Sequence, residues 1–425
     1  MHRTPTPRFY PPGDNDLCHS LVSWGMSLMR RHWAHVDQVL LPADDARRLR
    51  TAFARPGIIC PNHPSLAEPT AIWDLIDRMG LRANWVMDRR VLRWTGLART
   101  FLQGSGAYSL RRGAPDRDSF ACTRRLLVSG RQIVMFPEGE TYGINDTLLP
   151  FHEGVAQMAF WGHQDRLKAG LDGEVLLLPM AVKYVYQGDV RGRIQEVLSR
   201  LEARVGLPSA AGMTRYERLR RLGLAALETM EKAMGLPAGG DLTLDQRLDR
   251  WYDTALAKLA HDTGVELPAE GTLQDRLRRL FGVVEERLYE PAPPATEFQR
   301  LLTAQREPAW RTFESDLRRL QCFQAVRDGY VAAHPSAERY LDVLGRLDRE
   351  ISGRVRSYGR RDAHVRVGEP VALSDWSAAY AADKRRAVLD VTAELRQRVQ
   401  RLVAGLAQIT PALADEPRPL PPNAA

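Results

Sequence analysis
The segment Glu174–Tyr186 (EVLLLPMAVKYVY) constrains the fold of this chain more than any other. It is almost uninterruptedly apolar, so it reads as a strand covered on both faces and not as one with a wet side. Such a strand needs neighbours in a helix-flanked sheet, and the residues before it supply them. Gly57-Ile58-Ile59-Cys60 is a short buried strand, followed by the loop Pro61-Asn62-His63-Pro64-Ser65 and a helix over Glu68–Met79. Asn84–Met87, Ala107–Leu110 and Gln132–Phe136 are further strands, and Ser119–Ser129 and Gly154–Trp161 are helices. The alternation implies an α/β domain whose mixed, mostly parallel sheet is flanked by helices.

From Gly206 the character changes to long Arg/Leu/Ala/Glu-rich helices that repeat three times at a constant period, with Gly206, Gly235 and Gly264 in register. Thr214, Thr243 and Thr272 superpose, each followed three residues later by Glu217, Gln246 or Asp275, the pattern of a capping box that opens a helix. Arg218, Arg247 and Arg276 form another column, and Arg221, Arg250 and Arg279 a third. Leu219, Leu222, Ala226, Met230 and Met234 form the buried stripe of the first unit. Further helices follow between Thr296 and Arg354, and then strand character returns in Ala363–Leu373 (AHVRVGEPVAL), with a long helix from Trp376 to Leu406 after it. A lone strand cannot satisfy its backbone groups inside a helical domain. We therefore expect residues 37–194 to form the first part of the α/β domain, 195–361 a helical insertion, and 362–410 the closing strand and helix. Residues 1–36 are a lead with an amphipathic helix, disordered over 1–14, and 411–425 a disordered tail.

The longest stretches free of Asp, Glu, Lys and Arg are 17–29 and 402–414, short of the roughly 20 residues that cross a bilayer. The first residues lack the apolar centre of a secretion signal, so a cytoplasmic location is expected. Cys18, Cys60, Cys122 and Cys322 form no CxxC pair and fit a reduced compartment. From Asp16 to Trp33 a helical pattern places Leu17, Leu21, Trp24, Leu28 and Met29 on one side. That side either lies in a membrane interface or packs on the domain. The net charge of +8 sits in residues 82–131, where eleven arginines face three aspartates. A block of this kind attracts an anionic partner or forms a solvated helix face. Its arginines lack interleaved aromatics, so no nucleic acid is expected as a partner.

Three constellations carry candidate chemistry. The loop after the first strand places His63 five residues before Glu68, at a helix start, where the carboxylate can fold back onto one imidazole nitrogen. That pairing fixes the tautomer and supports general-base work. Phe136-Pro137-Glu138-Gly139 follows a strand directly and turns sharply at the carboxyl edge of the sheet, where open α/β sheets place ligands. Gly106 to Gly113 is a short strand ending in Arg111-Arg112, and a guanidinium there suits a phosphate.

In this order and spacing the three resemble the signature of the glycerolipid acyltransferases, which include lysophosphatidic acid and glycerol-3-phosphate acyltransferases. The family's motifs are a histidine, four residues and an aspartate; a glycine-to-arginine strand; Phe-Pro-Glu-Gly; and a proline in a final apolar strand. Here they fall on His63 and Glu68, on Gly106 and Arg112, on Phe136–Gly139 and on Pro179, and the likeness covers about 35–190 and 362–408. The resemblance implies that His63 deprotonates the hydroxyl of a lysophospholipid or glycerol phosphate, which attacks the thioester of acyl-CoA or acyl carrier protein. It implies that Glu68 orients His63, and that Arg112, Glu138 and Gly139, with Asn62 and Ser65, bind substrate. It calls for no metal, no cofactor beyond the acyl donor, and attachment to the inner face of the membrane. Three positions depart from the family: Glu68 stands for aspartate, Glu140-Thr141 for Thr-Arg, and His152 for a frequent lysine. The last two lower the positive charge available to a phosphate monoester and point to a larger head group or another lipid hydroxyl. A reading of another class, a lipid-binding scaffold working through the helical repeats, stays open at this stage.

Overall fold
A computed structural model describes residues 9–94, 96–111, 116–208, 210, 212–237, 239–268, 272–289, 296–323 and 326–413. The chain opens with α1 (Asp16–Leu28), which ends in one wider turn over Met29–Trp33, then β1 (Val36–Leu40) and α2 (Ala43–Phe53). Next come β2 (Gly57–Pro61), α3 (Glu68–Arg78), β3 (Asn84–Asp88), α4 (Arg89–Trp94), α5 (Leu97–Gly104) and β4 (Ala107–Leu110). The run ends with α6 (Arg117–Val128), β5 (Gln132–Val134), α7 (Gly154–Lys168) and β6 (Leu176–Tyr186). These strands join one sheet in the order β1, then a strand from the far end of the chain, then β6, β2, β5, β3 and β4. The five from β6 to β4 run parallel. Both faces are covered, as the apolar strands require: Ile59 joins the α1–α3 side and Ile58 and Cys60 the α6–α7 side, all with no exposure.

Between β6 and its next neighbour the chain leaves the sheet through α8 (Arg191–Arg204), α9 (Arg215–Ala233), α10 (Leu244–Thr263), α11 (Leu273–Tyr289), α12 (Glu297–Phe323), α13 (Tyr330–Ala333) and α14 (Ala337–Ser352). The three threonine caps are reciprocal, Thr272 and Asp275 included, although aspartate has the shorter arm. The arginine columns acquire a reason as well. Arg218 and Arg221 reach back to Glu202 of the preceding helix, and one repeat further on Arg247 and Arg250 reach back to Glu231. Burial pushes Glu231 upward, but the two guanidiniums outweigh it and hold the carboxyl below its ordinary range. The third unit carries Ala260 where this glutamate would stand, so its arginines meet no such rung.

The chain then returns as β7 (Arg361–Val367), which lies antiparallel to β6 and parallel to β1, and β8 (Val371–Ala372) also pairs with β6. The expected single strand over 363–373 is therefore two, separated by Gly368 and Pro370, since proline has no N–H to give a ladder. The expected single helix after Trp376 is α15 (Ser377–Ala382) and α16 (Lys384–Ala407), broken at Asp383, whose side chain caps α16. Two strand and helix assignments were absent from the periodicity: β1, a half-exposed edge, and α2, whose polar surface masks its pattern.

The ends depart from expectation where they are described. Residues 9–14 are not a disordered lead: Tyr10 is buried, its N–H bonds Ser109, and Gly13 bonds the Gln103 carbonyl. At the other end Ala412 and Leu413 pair with Ser336 and Pro335; the remainder of the expected tail, 414–425, lies outside the described residues, as do residues 1–8. On α1, Val22 and Met26 pack inward against α3 and α5, whereas Leu17, Leu21, Trp24 and Leu28, with Met29 of the turn that follows, all face outward, Leu17 and Trp24 each 68% exposed.

Three arginines of the basic block join the insertion to the sheet, while Arg82, Arg124 and Arg131 pair with Asp16, Asp165 and Asp14 of the domain itself. Arg90 bridges Asp88, Glu285 and Glu314, Arg93 bonds the Tyr289 carbonyl, and Arg111 faces Glu286. A second joint lies under α14, where Lys183 of β6 pairs with buried Asp146, which also takes Arg339. Removing the cation that three nearly buried carboxylates share leaves their mutual repulsion undercompensated in a dry place, even though Glu314 keeps Arg318 and Tyr289. Arg90→Met should therefore cost about 3–5 kcal/mol of unfolding free energy, read from the urea midpoint, and should open the α11–α12 region to protease before the sheet.

Candidate active site
β2 ends at Pro61, and the loop that follows crosses the carboxyl edge of the sheet between β6 and β5. Because proline cannot continue the ladder, Asn62 does so with its side chain: Oδ1 accepts the Val182 N–H at 2.7 Å and Nδ2 donates to the Val182 carbonyl at 3.1 Å. Asn62 has no exposure and spends both its carbonyl and its amino group on the Val182 backbone, so it holds the loop and not a ligand. This corrects its assignment as a substrate-binding residue.

The next residue is His63. Its Nδ1 lies 2.8 Å from Glu68 Oε2, and the ring stacks on Phe136 with centroids 4.0 Å apart and planes at 20°. Glu68 opens α3, where the helix dipole favours a carboxylate. It has no exposure, and Ser65 fills the rest of its valence: the Ser65 N–H donates to Oε2 at 2.9 Å and Oγ to Oε1 at 2.7 Å. The extra methylene of glutamate therefore still reaches the imidazole, and Ser65 supports Glu68 from within the loop instead of facing a ligand. With Nδ1–H committed to the carboxylate, Nε2 is the nitrogen left to take a proton. Tyr184, buried on the α3 side of β6, brings its phenolic hydroxyl beside Glu68; strand alternation puts it on that face, but nothing in the local motif singles it out.

β5 ends at Val134 and delivers Phe136–Gly139 to the same edge. Glu138 is fully buried, with Oε1 accepting the His63 N–H at 2.7 Å and Oε2 the Leu149 N–H at 2.7 Å. Burial drives its carboxyl up to about 8, against the pull of those two N–H groups. Both oxygens are thus used to tie loops together, which corrects its assignment to substrate contact. Gly139 sits at φ 71°, and a Cβ there would come within 2.7 Å of the His152 ring, so that position admits only glycine.

Of the remaining expected site residues, Arg112 lies outside the described residues. Its neighbour Arg111 lines a cleft of about 510 Å³ that also takes in Phe136, Glu138, Gly139 and His152 on one side and residues of α11 and α12 on the other. The structure therefore brings His63, Glu68, Ser65, Asn62, Glu138 and Gly139 into one cluster. Sequence reasoning missed the ring stack of Phe136, and the participation of the helical region in this cleft.

The buried carboxyl yields a test by pH. A raised native value means that the folded state holds a proton which the unfolded state has released, so stability falls as pH climbs from 4.5 toward about 8. Glu138→Gln removes that proton. The stability of the natural protein relative to the variant should decline by up to about 1.4 kcal/mol per pH unit across this window, measured by denaturant titration at several pH values.

Among known families, the one whose model is described as Acyltransferase matches residues 43–183, about a third of the chain and the segment from α2 to β6. No curated protein matches the chain significantly.

Proposed function
We propose, on the match of residues 43–183 to the Acyltransferase family model, that the chain is an O-acyltransferase of the glycerolipid kind, which moves an acyl group from a thioester to the hydroxyl of a lysophospholipid or glycerol phosphate. The observation that carries this reading is the His63–Glu68 pair, 2.8 Å apart at the carboxyl edge of the sheet and pressed under Phe136. In the proposed step His63 Nε2 takes the acceptor's hydroxyl proton as its oxygen bonds to the thioester carbonyl carbon. Glu68 stabilises the imidazolium so formed. The tetrahedral intermediate then expels the thiolate, which receives the proton from His63, and the products are an ester and a free thiol. The donor is acyl-CoA or acyl carrier protein, and the role is phospholipid synthesis or remodelling.

A lysophospholipid acceptor partitions into a membrane, and among the described residues no helix is long and apolar enough to cross one. The outward face of α1, with Leu17, Leu21 and Trp24 beside the exposed basic residues Arg31 and His32, supports peripheral attachment to an anionic cytoplasmic surface.

Two outcomes test the proposal. His63→Ala should lower thiol release from an acyl thioester in the presence of lysophosphatidic acid by about 10²–10⁴, and equal rates in the two proteins would end the enzymatic reading. Replacing Leu17, Leu21 and Trp24 by serine should weaken sedimentation with anionic vesicles by about tenfold or more while leaving the fold unchanged, because these exposed side chains belong to none of the hydrophobic cores.

A further inference from the structure
The wall of the cleft contributed by the insertion carries two unusual side chains. Gln274 of α11 and Gln321 of α12 are only 9% and 8% exposed, and neither amide makes a hydrogen bond among the described residues. Neither is among the described side chains whose unpartnered polar atoms are fully enclosed, so both amides open to space that a ligand can enter. Here both line a cleft of about 510 Å³ instead of dead space. Arg278, one turn along α11 from Gln274, stands nearer solvent with its side chain 41% exposed, and it donates to the His152 ring over Gly139. The opposite wall includes Phe136, whose ring stacks on His63, so the cleft reaches to within one ring of the proposed base.

A primary amide offers a donor and an acceptor side by side and is complementary to another amide. A ligand suited to this wall is therefore a chain bearing amides with an anionic phosphate beyond them. Among the reactants of a thioester-dependent acyl transfer, the phosphopantetheine arm has that constitution: thioester, two amides in succession, then a phosphate. The acyl acceptor, a glycerol phosphate with hydroxyls and no amide, has less use for two buried glutamines.

Resting on the acyltransferase reading, we infer that the helical insertion supplies the donor-recognition wall of the active site, with Gln274 and Gln321 pairing with the amides of a phosphopantetheine arm and Arg278 contacting its phosphate. The insertion then selects the acyl donor, while the family domain carries the chemistry. The same arm is presented by coenzyme A and by acyl carrier protein.

The test uses the full chain with Gln274→Leu, Gln321→Leu and Arg278→Met, each first checked for a cooperative thermal transition. Gln274→Met and Gln321→Met replace any leucine variant that fails this check. Calorimetric binding of 4′-phosphopantetheine alone should weaken about tenfold in each glutamine variant. In turnover, the ratio of kcat/KM for decanoyl-CoA to that for the amide-free decanoyl ethyl thioester should fall by a similar factor. If decanoyl carrier protein is the donor, the same fall appears with that substrate and decanoyl-CoA is turned over poorly by every variant. Unchanged phosphopantetheine binding in both glutamine variants, or a rise confined to the KM of the lysophospholipid, would overturn the inference and assign the cleft to the acceptor. Failure of the underlying reading looks different: the natural protein and His63→Ala release thiol equally, whatever the glutamine variants bind.

Discussion
A buried carboxyl that accepts two backbone N–H groups holds the site together. Glu138 ties the loop after β2, through His63, to the loop that approaches α7, through Leu149, and it does so from the turn after β5. Three chain segments distant in sequence are thereby fixed to one another at one sheet edge. The ring of Phe136 can stack on His63 only because this clamp places the two loops side by side. The upward displacement of the Glu138 carboxyl to about 8 measures what that burial costs, and it is tolerated because the alternative is two unsatisfied N–H groups in the same dry place.

The same loops connect the domain to the insertion. Tyr142, Ile144 and Leu149 belong to the hydrophobic core that the helices α8–α14 build, while Asn145 bonds Asp342 of α14 and the Tyr184 N–H of β6. Burial raises Asp342 to about 6, which marks how dry this joint is. With the arginine bridges from α4 and β4 to α11 and α12, the insertion is attached on two sides of the cleft and not hung from a hinge. A rigidly held wall is what a binding site needs, because side chains placed by packed helices lose little further freedom when a ligand arrives.

Much of this was legible along the chain. Continuous apolar strands demanded a covered sheet, and the orphan strand after the helices demanded a partner; β7 lies antiparallel to β6, as the backbone's hydrogen-bonding needs require. The threonine and glycine columns announced capped helices, and the caps are present. The pairing of His63 with Glu68 followed from spacing at a helix start. Other features were not legible, for identifiable reasons. Asn62 and Glu138 are polar residues in a motif loop, and local sequence does not say whether such a side chain faces a ligand or a buried N–H. Half-exposed β1 and polar-surfaced α2 lack the periodicity that reveals an element. The break at Asp383 needed the capping geometry of α16, which competes with an otherwise helical pattern.

The sequence by itself determined the α/β class, the repeats, the identity of the histidine–carboxylate pair and the positive block, because each is a matter of spacing, periodicity or composition. Only the tertiary structure decided what those charges and amides face. Arg90 and Arg111 turn to carboxylates of the insertion, far along the chain, and Gln274 and Gln321 turn to a cleft whose other wall is the motif loop after β5. Facing is a long-range property: it depends on which distant element packs opposite, and that follows from how the insertion's core merges with the loop at 142–149.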